Sequence, residues 1–352
     1  KFAKQDGLQF QTLIADEAHY LKSGKAQRTK AVQMLASKID QKILLSGTPI
    51  TRAPVDLYSQ IEILGKTPRF GSYKEFTSRY CDGHYEEFRN VLQPVWVAKG
   101  ATNVRELAER MKKELGYLRR EKTLVAKELP EKTRQVLSVA LAAVDYRNLR
   151  KIAAKGDPEI PGSILAAMQE QLGYIGKAKI EPAKEWVADF VEENPERKLI
   201  VFAQHIEVQK ALAESLKEHG IVTIFGEHSA TQRGEAVDRF QTDPRARIAV
   251  CSLGAASVGV TLTAASDVLM VEQDWTPATL LQAEDRAHRI GQSNAVNVTY
   301  LVAEDTLDSE RMLVIQEKFN VANALNQSVQ AEFVQKMERA LKRSKSVSLS
   351  SI

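Results

Sequence analysis

The chain has 352 residues, enough for two domains or one large one. Its balance of 43% hydrophobic and 27% charged residues suits a buried core, and a net charge of +4 allows a nucleic-acid partner without arguing for one. No stretch approaches the ~20 apolar residues of a membrane span, and no membrane partner is expected.

The two cysteines, Cys81 and Cys251, are far apart in sequence. Cys251 sits in an apolar run and reads as a buried thiol. Cys81 and His84 form a lone C-x-x-H, and zinc needs a second pair. This usage fits a reducing, intracellular setting. That means cytoplasm or nucleoid in a bacterium or phage, and the nucleus in a eukaryote.

The first residue is Lys1, and a strand follows almost at once, as in a chain entered mid-pattern. Short apolar strands are expected over 10–15 and 43–45, with an amphipathic helix over 26–37 between them. Strand, helix, strand is the unit of a parallel α/β sheet, and two strands make a poor sheet. More of this sheet is therefore expected upstream. Residues 53–117 read as helices and loops rich in aromatics, forming an accessory segment. A charged crossover follows at 118–132, and 138–195 reads as helical around a 156–162 loop.

From 197 onward strands and helices alternate. Strands are expected at 199–203, 222–225, 248–252, 268–271 and 296–302. Helices are expected up to 219, over 231–241, over 278–290, and from 307. The strands are continuous apolar runs, so both sheet faces should be covered, as in a doubly wound parallel sheet. There is no internal repeat. The end, 339–352, is basic and then Ser-rich, and should fray.

Candidate chemistry sits at strand ends. The first strand runs into Asp16-Glu17-Ala18-His19. Two adjacent carboxylates there can divide labour: Asp16 holds Mg²⁺, directly or through water, and Glu17 orients and deprotonates an attacking water. A solvated acidic turn is the competing reading. His19 can link such a site to its surroundings. The second strand ends in Ser46-Gly47-Thr48-Pro49, whose hydroxyls suit a polar sensor of the carboxylates; a plain turn also fits. On a helix over 278–290, Gln282, Arg286 and Arg289 would share one face, and two guanidiniums can clamp a triphosphate. A surface helix whose arginines pair with Glu284 and Asp285 is the alternative. The small-residue loop 253–263 can approach nucleotide, nucleic-acid backbone or both, but its Gly254 and Gly259 do not make G-x-G-x-x-G.

Taken together these residues resemble the SNF2 family of superfamily-two ATPases. The matches are Asp16-Glu17-Ala18-His19, Leu45-Ser46-Gly47-Thr48-Pro49, Leu118-Arg119-Arg120, 199–204, 257–263 and 282–292, the last ending Arg289-Ile290-Gly291-Gln292. Arg79-Tyr80-Cys81-Asp82-Gly83, Gln282-Ala283-Glu284-Asp285-Arg286, Tyr300-Leu301-Val302-Ala303 and Ile315-Gln316-Glu317-Lys318 point to the annealing-helicase (HARP-like) branch.

The resemblance implies an α/β fold of two RecA-like lobes, the first partial, with parallel sheets flanked by helices and helical insertions. The implied division is 1–117 (first lobe with accessory segment), 118–195 (linker and helical insertion), 196–328 (second lobe) and 329–352 (tail). It implies an ATP-dependent translocase or remodeller of double-stranded or forked DNA, able to anneal strands and working as a monomer. ATP and Mg²⁺ are the implied cofactors, with ATP between the lobes. Asp16 and Glu17 would serve metal and water, with His19, Ser46 and Thr48 coupling them. Arg286 and Arg289 would be the arginine fingers, with Gln282 and Gly259 beside the nucleotide. His205, Ser252 and Thr263 would touch the DNA backbone.

One departure stands out. The family uses G-x-x-x-x-G-K-[ST], and none occurs in these 352 residues. Gly65-Lys66-Thr67 fails because the first glycine would fall at Gln60. The chain alone is therefore expected to hydrolyse ATP poorly. A DNA-binding module that keeps the fold without hydrolysis is the competing function.

Overall fold

A computed structural model describes residues 10–47, 49–50, 53–87, 93–118, 120, 126–157, 159–160, 162–254 and 259–326, with side chains described up to Gln316. Thr48, residues 255–258 of the small-residue loop and the tail from 329 onward lie outside the described residues. Two compact units emerge, one of the residues up to Arg120 together with 317–326, and one from Glu121 to Gln316.

In the first unit, β1 (Thr12–Ala15) and β2 (Gln41–Leu44) pair in parallel, Thr12 opposite Gln41 and Ala15 opposite Leu44. Helix α1 (Gln27–Ala36) connects them. The inner sheet face is half-buried: Leu13, Ala15 and Leu44 pack against Ala36 of α1, Ala18, Leu21 and Ile63. The outer face is open, with Ile14 61% and Ile43 47% exposed.

The accessory segment has its own core. It contains α2 (Tyr58–Ile63), α3 (Thr67–Phe70), α4 (Tyr73–Tyr80) and α5 (Val104–Leu115). Ile61, Phe70, Phe76, Tyr80, Leu107 and Met111 are buried together. Helix α4 starts where Ser72 and Glu75 form a reciprocal capping box: Ser72 N–H donates to Glu75 Oε2 at 2.7 Å, and Glu75 N–H donates to Ser72 Oγ at 3.4 Å. A short antiparallel pair, β3 (His84–Glu86) with β4 (Val95–Val97), stands where only helices and loops were expected. Among the described residues no group of three or more His, Cys, Asp or Glu could hold a metal. Cys81 is buried, which pushes its thiol up to about 12.

The second unit is one six-stranded parallel sheet in the order β5-β10-β9-β6-β8-β7. Its strands are β5 (Lys132–Val139), β6 (Leu199–Ala203), β7 (Ile221–Ile224), β8 (Ile248–Ser252), β9 (Asp267–Met270) and β10 (Val296–Ala303). Helices α6 (Ala143–Ala153), α7 (Ser163–Ala178) and α8 (Ile180–Glu193) follow β5. Then come α9 (Ile206–Ser215), α10 (Ala230–Thr242), α11 (Pro277–Glu284) and α12 (Leu307–Asn326), of which 307–316 belong to this unit. Every residue of β6, β8 and β9 is buried, as uninterrupted apolar strands with both faces covered require. On one face Leu199, Val201, Val250 and Leu269 meet Val187 of α8 and Val208 and Leu212 of α9.

Two expectations need correction. The segment read as a charged crossover running into helix contains β5, which pairs with β10 over eight residues, Lys132 opposite Val296 to Val139 opposite Ala303. Charge at Lys132 and Arg134 hid the strand, and both cations find a buried partner, described below. The helix expected over 278–290 ends at Glu284. The chain then tightens: Arg286 N–H reaches Ala283 O and Ala287 N–H reaches Glu284 O, bonds of i to i−3 type.

Candidate functional site

Candidate residues fall in both units, several at strand ends and the two arginines on the turn after α11. In the first unit β1 delivers Asp16 and Glu17. Glu17 has φ 48° and ψ 44°, the left-handed region that non-glycine residues rarely occupy. Such backbone strain persists where the surroundings over-determine it and gathers at functional sites. Two things hold it here. The Glu17 N–H donates to Asp16 Oδ1 at 2.8 Å. The next N–H, of Ala18, donates to Leu45 O at 2.9 Å, just after Leu45 N–H has bonded Ala15 O at 2.8 Å. The two strand ends are thus laced together, and the lacing carries Ser46 to His19.

His19 Nδ1 lies 3.1 Å from Glu17 Oε2 and 3.2 Å from Ser46 Oγ. The ring is buried at 7% exposure. Burial lowers its pKa, Glu17 pulls it partly back up, and Lys22 lowers it again, so the imidazole is neutral at pH 7. A neutral ring with both neighbours on one nitrogen can relay a change at the serine to the carboxylate. Asp16 is exposed at the sheet's carboxyl edge, where ligands of α/β sheets bind. Its oxygen donors suit Mg²⁺, which binds through one or two carboxylates and completes its shell with water and phosphate oxygen.

In the second unit Arg286 and Arg289 lie on the turn after α11 rather than on the helix that carries Gln282. Arg286 is half-buried; its Nε donates to Gln282 O at 3.1 Å and its Nη1 to Val260 O at 3.2 Å. Leu262 N–H bonds back to Arg286 O at 2.9 Å. Arg289 is exposed. Gln292 is buried, and its Nε2 donates to Thr263 O at 3.1 Å and Ala265 O at 2.7 Å. The arginine turn is therefore tied to the loop 259–265, where Gly259 has φ +68° and open space beside it. Backbone can approach a ligand closely there.

His205, Ser252 and Glu272 follow or end the adjacent strands β6, β8 and β9. After β6 the chain runs to β7 and β8 on one side, and after β9 it runs to β10 on the other. That is a switch point of the sheet. His205 Nδ1 lies 2.6 Å from Glu272 Oε1, and the N–H groups of Gln204 and His205 donate to Glu272 Oε2 at 2.8 and 2.9 Å. Ser252 is buried at 6% exposure. Thr263 Oγ1 accepts from Gln241 Nε2 at 3.2 Å.

Sequence reasoning missed Glu272 and gave Glu284 a place only in the alternative reading, as a surface partner of the arginines; it is fully buried. Arg134 forks onto it at 2.7 and 2.6 Å, Lys132 reaches it at 2.8 Å, and Tyr300 OH donates to it at 2.8 Å. The i, i+2 spacing of Lys132 and Arg134, which puts both on one face of a strand, was the available signal.

With this geometry in place, two family descriptions match the chain. The SNF2-related domain matches residues 2–172, and the helicase conserved C-terminal domain matches residues 181–291. A SWI/SNF-related matrix-associated actin-dependent regulator of chromatin subfamily A-like protein 1 homolog from Caenorhabditis elegans is 38% identical over 91% of this chain and 46% of its own length. The DNA annealing helicase and endonuclease ZRANB3 of Homo sapiens is 34% identical over 92% of this chain and 31% of its own length. The chain thus spans less than half of either relative. The Sulfolobus solfataricus SWI2/SNF2 ATPase core domain is similar at 22% identity with a TM-score of 0.47, covering 93% of this chain and 69% of that one.

Proposed function

Because the chain belongs to the SNF2 family, with relatives in the annealing-helicase branch, we propose that it is the motor portion of an ATP-dependent double-stranded DNA translocase. The observation that carries this is the carboxylate turn: Glu17 held in a left-handed conformation and joined through His19 to Ser46. A solvated acidic turn has no use for either feature.

Each residue then has a task. Asp16 holds Mg²⁺, which supplies charge neutralisation at the nucleotide phosphates. Glu17 orients water and takes its proton. His19 and Ser46, with Thr48, report the state of that carboxylate. Arg286 and Arg289 meet phosphate charge, Arg289 from an exposed position and Arg286 from a backbone-braced one; Gly259 and Gln282 sit alongside. Duplex or forked DNA is held mainly by its phosphates, with His205 and Thr263 as contacts and Ser252 supporting them from within.

The 352 residues contain no G-x-x-x-x-G-K-[ST], so the isolated chain hydrolyses ATP inefficiently. A second reading is a DNA-binding module that keeps the fold without hydrolysis. ATP turnover with and without duplex DNA separates the two, measured in the native polypeptide carrying these residues. Translocase function predicts DNA-stimulated turnover that Glu17→Gln lowers by about a hundredfold or more. Salt-sensitive duplex binding with no turnover would leave only the second reading.

A further inference from the structure

The buried charge cluster around Glu284 has no task in the assignments above. Its placement is specific. Helix α11 ends on Glu284, and Arg286 follows two residues later. The cations that hold Glu284 come from one short stretch of β5, and the residues just before them bracket the same turn. His288 Nε2 lies 2.8 Å from Pro130 O, and Val296 N–H donates to Glu131 O at 2.8 Å. Residues 130–134 therefore grip the segment 284–296 at its start, in its middle and at its end. Lys132 Nζ also touches Asp285 Oδ1 at 3.3 Å.

Electrostatics makes this grip stiff. Burial alone would raise the Glu284 carboxyl, but Arg134 and then Lys132 outweigh it and bring it down to about 2. The glutamate is a permanent anion inside the fold, and losing it would take the forked carboxylate from Arg134 and leave Lys132 with Asp285. Buried ion pairs of this kind are weak sources of stability, and their best-attested use is fixing a unique arrangement.

The geometry points to Glu284 as a positioning residue: with Lys132, Arg134 and Tyr300 it locks the turn carrying Arg286 and Arg289 to the strand that follows the crossover. This rests on the reading that those arginines meet nucleotide phosphate. It deepens that reading by assigning the control of arginine placement to residues 130–134, about 150 positions earlier in the chain.

Glu284→Gln keeps the volume and removes the charge. In the 352-residue chain, amide exchange across 285–292 should rise about tenfold or more, while β6 and β8 hold their protection. In the native polypeptide the same variant should lower kcat for ATP about as far as Arg289→Ala does, with KM for ATP changed less than about threefold. Lys132→Gln leaves the Arg134 fork in place and should act in the same direction more weakly, which keeps the test alive should Glu284→Gln fail to fold. Unchanged exchange at 285–292 overturns the proposal. So does exchange that rises equally throughout the sheet, or turnover untouched when the turn is loosened. If Arg286→Ala and Arg289→Ala both leave turnover intact, the functional reading fails instead, and the exchange data alone decide whether Glu284 holds the turn.

Discussion

Strands β6 and β1 are both short apolar runs that end in polar residues at the sheet's carboxyl edge. All five residues of Leu199–Ala203 are buried, whereas Thr12–Ala15 alternates between exposed and half-buried. The difference lies in their neighbours. Strand β6 pairs on both sides, with β8 and β9, and sits under α8 and α9. Among the described residues β1 pairs with β2 alone, and only one of its faces is covered. The same hydrophobic pattern is therefore buried on both faces in one unit and, among the described residues, on one face in the other. Both units nonetheless present functional candidates at strand ends, so site placement depends on strand direction more than on how much core lies beneath it.

The largest expected effect lies in the closed unit. Glu284→Gln should destabilise the turn 285–292 locally by about 3–5 kcal/mol while β6 and β8 keep their protection, because Arg134 and Lys132 lose the buried anion they share. Chemical denaturation resolved by region would measure it. Next comes a matched pair of truncations. Leu199→Ala should cost about 2–5 kcal/mol through a core cavity. Ile14→Ala, on the open face, should stay within about 0.5 kcal/mol. Similar losses at both positions would erase the contrast between the sheets.

A smaller effect tests the strained turn. Glu17→Gly should stabilise the first unit by about 1 kcal/mol by relieving the left-handed backbone, while removing ATP turnover in the native polypeptide. A thermal melt paired with a turnover assay reads both halves, and a loss of stability would show that the Glu17 side chain contributes more than its backbone costs.

Acid should separate the units most gently. His19 has its folded pKa lowered from 6.5, so below about pH 6.5 the unfolded chain takes up a proton that the folded chain resists. Stability of the first unit should fall as pH drops through that value. Glu284 is shifted from 4.5 to about 2, so its contribution is whole above pH 4.5 and fades only toward pH 2. Between pH 6.5 and 4.5, amide exchange should thus rise around His19 and not around Glu284.

The strands of the second unit were legible because uninterrupted runs such as 199–203 and 248–252 have one comfortable environment, a sheet covered on both faces. The carboxylate turn and its serine partner were legible for a related reason, since each follows directly from a strand whose direction is fixed. Strand β5 was not. Lys132 and Arg134 look like surface residues until Glu284 arrives from 152 positions away to neutralise them. Helix α11 was read too long, because periodicity through Ile290 does not reveal that Glu284 is drawn inward and the chain after it turns.

Local chemistry in the sequence determined the type of fold and the resemblance: parallel α/β units, a carboxylate pair after the first strand, two arginines near the end of the second unit, and the motifs shared with the SNF2 family. Those features depend on neighbours within a few residues, so they survive being read one segment at a time. Tertiary structure alone decided how the arginines are held, that Glu17 sits in a strained turn laced to Leu45, and that His205 leans on a buried Glu272. Each of these is a contact between distant segments, and burial sets its strength: a charge that water would screen at the surface becomes, inside the fold, a constraint on where the chain can go.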